Sequence, residues 1–181
     1  GGQPRVGPRP TVDPHLHRIQ SLDEVMPGCR GVALTAAPLL GAWAAAQVPG
    51  ALLLGPDEEA LQWVAAAGQA QGLAYAVCRK QRFGDRDVRV ALPDLPLAGR
   101  AVVLMDDVAS TGRTLVEAAT AVLAAGAASV DVAVTHGLFI GEALSQLRAA
   151  GVGQVWSSDA VPHATAVVSV AGLLAGAVRA F

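Results

Sequence analysis

Short apolar runs alternate with stretches of helical periodicity along most of this chain, and that alternation narrows the folds open to it. "ALLLG" (51–55), "LAYAVCR" (73–79), "AVVLM" (101–105) and "SVDVAVTH" (129–136) read as strands. Briefer strands are predicted at 31–35, 154–158 and 165–170. Between them, 38–47, 56–72, about 114–125, 141–151 and 171–181 carry helical spacing. Strands that are apolar throughout are buried on both faces, and helices between them supply the cover. The expected fold class is therefore α/β, a parallel sheet with helices on both faces. Aromatic residues make up only 4% of the chain, which argues against a β-sandwich.

Local signals place the details. Pro56 and the acids Asp57, Glu58 and Glu59 suit the first turn of the helix 56–72. Leu61, Val64 and Ala65 would form its apolar face, and Gly68 or Gly72 its end. "KQRFGDRDVRVAL" (80–92) returns to alternation at Val88 and Val90, as a β-hairpin excursion with an exposed tip would. "TVDPHLHRI" (11–19) is a short extended piece turning at Asp13-Pro14. The first ten residues, "GGQPRVGPRP", read as a linker, an expression remnant or the cut edge of a longer protein. Residues 11–181 are expected to form one domain.

Several function classes drop out. The net charge is −2 and the isoelectric point about 6.1, so no global basic field would draw nucleic acid. No apolar run reaches the ~18 residues of a membrane span, and no signal peptide is visible. Cys29 and Cys78 lie far apart and suggest neither a zinc site nor a disulfide framework. A reducing cytoplasm is the expected location.

The chemistry concentrates in "VVLMDDVASTGRTL" (102–115). In an open parallel sheet, ligands bind beyond the carboxyl ends of the strands, and Asp106 and Asp107 are expected at such an end. Ser110, Thr111, Gly112, Arg113 and Thr114 then turn into a helix. A helix start offers free N–H groups and a positive dipole end to an anion. Gly112 lets backbone approach closely, and the hydroxyls add donors. Adjacent carboxylates repel by about 1 kcal/mol at ~4 Å in water. That cost is tolerable where they accept from vicinal hydroxyls or share a cation. A sugar phosphate such as ribose 5-phosphate meets both requirements. An isolated Asp-Asp would be explained by a capped strand-to-helix turn; the full run is more specific. It lacks the lysine of a Walker A loop.

A second signal is compositional. Of 13 basic residues 12 are arginine, and the sole lysine, Lys80, falls in a cluster with Arg79, Arg82, Arg86 and Arg89. A compact ammonium differs from a planar guanidinium. A solvated hairpin tip would also explain a charge run. His15 and His17, spaced i and i+2, could share a face and a metal, or simply be surface residues. Asp57 is explained by the helix dipole alone. His136 sits at a strand end and could line a site. Trp43, Trp63 and Trp156 read as core or subunit contacts.

The run 102–115 resembles the phosphoribosyl diphosphate loop of the type I phosphoribosyltransferase fold. "TVDPHLHRIQSLDEV", "LLLGPDEEALQWV", "RKQRFGDRDV", "VTHGLFIGEAL" and "AVPHATAV" follow in the order seen in ribose-phosphate diphosphokinases, and specifically in their C-terminal half. The resemblance covers about residues 11–181 and implies a flexible β-hairpin loop. It implies an enzyme moving diphosphate from ATP to ribose 5-phosphate, giving phosphoribosyl diphosphate and AMP with Mg²⁺. Asp106 and Asp107 would hold the ribose hydroxyls, and Ser110, Thr111, Gly112, Arg113 and Thr114 the 5-phosphate. His15 would contact ATP phosphates and metal, Asp57 would serve the metal, and Lys80 and Arg82 would be the catalytic pair. A homo-oligomer, at least a dimer, is expected. The alternatives are a nucleobase phosphoribosyltransferase and a non-catalytic paralogue that binds phosphoribosyl diphosphate.

Overall fold

The computed structural model describes residues 9–15, 31–82 and 88–180. In chain order the elements are β1 (Arg9–Val12), β2 (Gly31–Leu34), α1 (Ala37–Gln47), β3 (Leu52–Gly55), a 3-10 turn (Glu58–Ala60) and α2 (Leu61–Gln71). There follow β4 (Tyr75–Val77), β5 (Arg79–Arg82), β6 (Val88–Ala91), β7 (Ala101–Ala109), α3 (Arg113–Ala124) and β8 (Ser129–Gly137). The chain closes with α4 (Ala143–Ala149), β9 (Val155–Ser158), β10 (Ala166–Val168) and α5 (Ala171–Arg179).

The main sheet has six parallel strands in the order β10-β9-β8-β7-β3-β4. Alternation along each strand feeds two separate cores. Leu52, Leu54, Val102, Leu104 and Val132 pack with Leu115, Ala118 and Val122 of α3 and Leu147 of α4. Leu53, Val103, Met105 and Ala133 face the other way, onto Leu40 and Ala44 of α1 and Val64 and Ala67 of α2. The expected doubly covered parallel sheet is what forms. β5 and β6 make an antiparallel hairpin beside it; residues 83–87, at its tip, lie outside those described. β1 and β2 form a small parallel pair of their own. No helix among the described residues is long and apolar enough to cross a membrane.

Two elements differ from expectation for local reasons. The predicted helix 56–72 begins later. The Asp57 side chain accepts from the Glu59 N–H at 3.0 Å and winds a tight 3-10 turn before α2 starts. That shifts the helical face, so Leu61 is 49% exposed and the buried positions are Val64, Ala67 and Gly68. α2 ends at Gly72 in the left-handed region (φ +65°), where glycine has no Cβ to clash. The predicted strand 101–105 runs on to Ala109, because β8 continues beside it as far as Gly137. Asp106 and Asp107 therefore lie within the last turns of the ladder rather than beyond it.

α1 and α2 approach closely at Gly41. A Cβ there would sit 2.8 Å from the Cβ of Ala67, so a larger residue must push the helices apart. Gly41→Val is expected to lower the unfolding free energy by about 1–3 kcal/mol, measured by urea denaturation.

Candidate functional site

Neighbouring strands β3 and β7 send the chain in opposite directions along the sheet, toward β4 from one and toward β8 from the other. Such a switch point leaves a crevice at the carboxyl edge. A cavity of about 920 Å³ opens there, lined by residues that include His15, Thr35, Asp57, Trp63, Lys80, Asp106, Asp107 and Thr114. This volume lies in the range of small-molecule sites.

One wall is set by Asp13. It is 4% exposed, and its backbone is left-handed at φ +41°. Its Oδ2 accepts from the Ala36 N–H at 2.9 Å and from the Thr135 hydroxyl at 2.7 Å. Its Oδ1 accepts from the Trp63 indole N–H at 2.9 Å. These donors come from the start of α1, from α2 and from β8. His136 donates its Nε2 proton to the carbonyls of Val12 and Asp13, at 3.0 and 3.1 Å. The end of β1 is thereby fixed over the sheet, and His15, two residues on, meets Asp107 with Nδ1 to Oδ2 at 2.5 Å.

The floor is acidic. Asp107 is 3% exposed, and its N–H donates to Asp106 Oδ1 at 2.9 Å. Burial and then the neighbouring Asp107 charge push the Asp106 carboxyl up to about 8. Across the cavity, Asp57 uses both oxygens: Oδ1 caps the 3-10 turn, and Oδ2 accepts from Lys80 Nζ at 2.7 Å. That bond holds the Lys80 ammonium above its usual range. The lone described thiol, Cys78, is fully buried and pushed up to about 12, mainly by burial, which removes it as a nucleophile.

The loop from Ser110 leads into α3. Gly112 is its N-cap residue, left-handed at φ +73° and buried, and no side chain caps the helix. Val108 and Thr114 line the cavity on either side of this loop, whereas Ser110, Thr111, Gly112 and Arg113 are not part of the lining. The exposed Arg113 side chain points instead to Glu117, at 3.9 Å.

Six residues singled out from the sequence thus converge on one cavity: His15, Asp57, Lys80, Asp106, Asp107 and Thr114. The Arg82 side chain and His17 lie outside the described residues. His136 does not line the cavity; it pins β1. Trp63, read as a core or subunit contact, packs against the core on the α1–α2 side and also donates to Asp13 and lines the cavity. Thr35, Glu59 and Gln62 also line the cavity without any signal in the sequence. Among the described residues, no three His, Cys, Asp or Glu side chains form a preformed metal cage. The Asp106–Asp107 pair does fit Mg²⁺, which keeps several waters and takes one or two carboxylates together with substrate phosphates. Burial first and the Asp107 charge second raise the Asp106 carboxyl, and a divalent cation beside the pair would favour its ionised form.

Fold and cavity define an α/β protein with an acidic cavity at a sheet switch point. A family model described as phosphoribosyl transferase domain matches residues 44–147, and the chain belongs to that family. A ribose-phosphate pyrophosphokinase of Methanopyrus kandleri is 35% identical over 148 residues, covering 81% of this chain and 51% of that protein. One from Methanosarcina acetivorans is 32% identical over 91% of this chain and 58% of its own length. The crystal structure of phosphoribosylpyrophosphate synthetase from Mycobacterium smegmatis superposes with a TM-score of 0.72 at 24% identity, over 94% of this chain and 57% of that one. The fold is the phosphoribosyltransferase one, and the chain spans about half the length of the curated relatives it matches.

Asp106 binds its proton more tightly folded than unfolded, so ionising it weakens the native state as pH rises from about 4 to about 8. Asp106→Asn removes that penalty. Its melting temperature should exceed that of the unmodified protein by a margin that grows across this window and levels off above pH 8, as scanning calorimetry would read.

Proposed function

We propose that this chain supplies the ribose 5-phosphate half of a ribose-phosphate diphosphokinase. The observation that carries the reading is the meeting of Lys80, Asp57, His15 and the Asp106–Asp107 pair, from four separate stretches, in one cavity beside a glycine-capped helix start. Full-length proteins named ribose-phosphate pyrophosphokinase share about a third of the aligned residues, which supports the same reading.

In this scheme the helix start and the Ser110–Thr114 turn hold the 5-phosphate through backbone N–H groups and hydroxyls. Asp106 and Asp107 accept from the ribose 2- and 3-hydroxyls and fix the ring. The sugar O1 then lies toward the open part of the cavity, where ATP phosphates enter beside His15. O1 attacks the β-phosphorus and gives up its proton to water. The bond from that phosphorus to the α,β-bridging oxygen breaks, and AMP leaves. His15 and Asp57, with Asp106 and Asp107, would hold Mg²⁺, which when bound would draw negative charge off the phosphate oxygens. Lys80 and Arg82 belong to the β5–β6 hairpin. Lys80 exchanges Asp57 for the transferring diphosphoryl group, whose charge is largest as the bond breaks. The domain 11–181 works within a homo-oligomer in the cytoplasm; half-exposed Leu138 and Ile140 beside the loop offer apolar contact area for a partner.

Incubating the protein with ATP, Mg²⁺ and ribose 5-phosphate and following AMP tests the assignment. Formation of phosphoribosyl diphosphate is expected. A nucleobase phosphoribosyltransferase would instead consume that product, and a binding paralogue would release no AMP. Lys80→Ala should lower kcat by at least about 10²-fold while leaving the calorimetric affinity for ribose 5-phosphate unchanged.

A further inference from the structure

The segment Leu138–Phe139–Ile140, just past β8, runs behind the loop that enters α3. Three consecutive N–H groups there donate to that loop. Leu138 and Phe139 both reach the Ala109 carbonyl, at 3.0 and 2.9 Å, and Ile140 reaches the Ser110 carbonyl at 2.9 Å. This arrangement needs an unusual backbone. Phe139 lies in the left-handed region, φ +39°, where a residue with a Cβ is strained. Its ring supplies the compensation. Phe139 is 7% exposed and packs against the imidazole of His163, with ring centroids 5.1 Å apart. It also lies over Gly137, where a Cβ would come within 2.6 Å of the ring. His163 is held in turn: its Nδ1 accepts from the Thr165 N–H at 3.2 Å.

We infer that Phe139 is a positioning residue for anion binding, acting through the backbone of the Ala109–Gly112 loop. The inference deepens the reading of that loop as the 5-phosphate cradle and rests on it. Carbonyl oxygens near a phosphate repel it. The three donors draw the Ala109 and Ser110 carbonyls to the rear of the loop. The N–H groups that follow are then left to face the ligand, as in other concave anion-binding turns. Where residue 139 leaves the left-handed region, these carbonyls lose their partners and the loop can turn them toward the anion. The role is not bulk packing, because what matters is the left-handed backbone that the ring enforces.

Two variants separate these roles. Glycine adopts positive φ without cost, whereas alanine keeps the strain and loses the ring. Ribose 5-phosphate affinity, measured by calorimetry on the full chain, should fall roughly tenfold in Phe139→Ala. In Phe139→Gly it should stay within about threefold of the unmodified protein, although this variant melts no higher than the alanine one. Amide exchange at Thr111–Thr114 should speed up in Phe139→Ala and change less in Phe139→Gly. A glycine variant as impaired as the alanine one, or two variants indistinguishable from the parent, overturns the inference. If the parent protein takes up no ribose 5-phosphate, the substrate reading fails. The exchange comparison still decides whether Phe139 sets the loop.

Discussion

The site depends on one buried carboxylate. Asp13 gathers hydrogen bonds from the start of α1, from α2 and from β8, and so ties the end of β1 to three parts of the molecule. A two-stranded parallel pair such as β1–β2 has little stability alone. Burying its aspartate would be costly if the charge were unmatched. Three donors between 2.7 and 2.9 Å meet that cost, and the His136 imidazole holds the adjoining carbonyls. The left-handed turn at Asp13 then delivers His15 to Asp107. Losing one of these donors would free the charge and displace the whole wall of the cavity.

Electrostatics at the floor run opposite to what stability alone would choose. Asp57, Glu59, Asp106 and Asp107 line one space, and Lys80 is the one described cation lining it. The Asp106 carboxyl is pushed up to about 8 by its burial and then by the neighbouring Asp107 charge. Rules of good packing and charge balance are commonly broken where a ligand completes the arrangement. Lys80 and Asp57 satisfy each other across this space at 2.7 Å.

The fold was legible because apolar runs and helical spacing are local, and a parallel sheet follows from their alternation. The acidic pair, the loop and the lone lysine were legible as composition and spacing. What escaped was every interaction that depends on distant segments. Trp63 carries no mark in its own helix that its indole would donate to a carboxylate fifty residues earlier. His136 at a strand end looked like a ligand-facing residue, but its partners are carbonyls of β1. The end of β7 was misplaced because strand length is set by the neighbouring strand, not by the apolar run. The late start of α2 came from a side-chain cap at Asp57 that competes with the first helical turn.

The seam between α1 and α2 carries a consequence for how this protein can change over generations. Glycine stands on one side and alanine on the other, at a separation already tighter than a second Cβ would permit. Gly41 cannot shrink further, and only the loss of the Ala67 Cβ could make room for a side chain opposite it. Any other gain in volume along this line of contact runs toward looser helices. Because Trp63 rides on α2, any such loosening is felt at the ligand cavity even though the seam never touches a ligand.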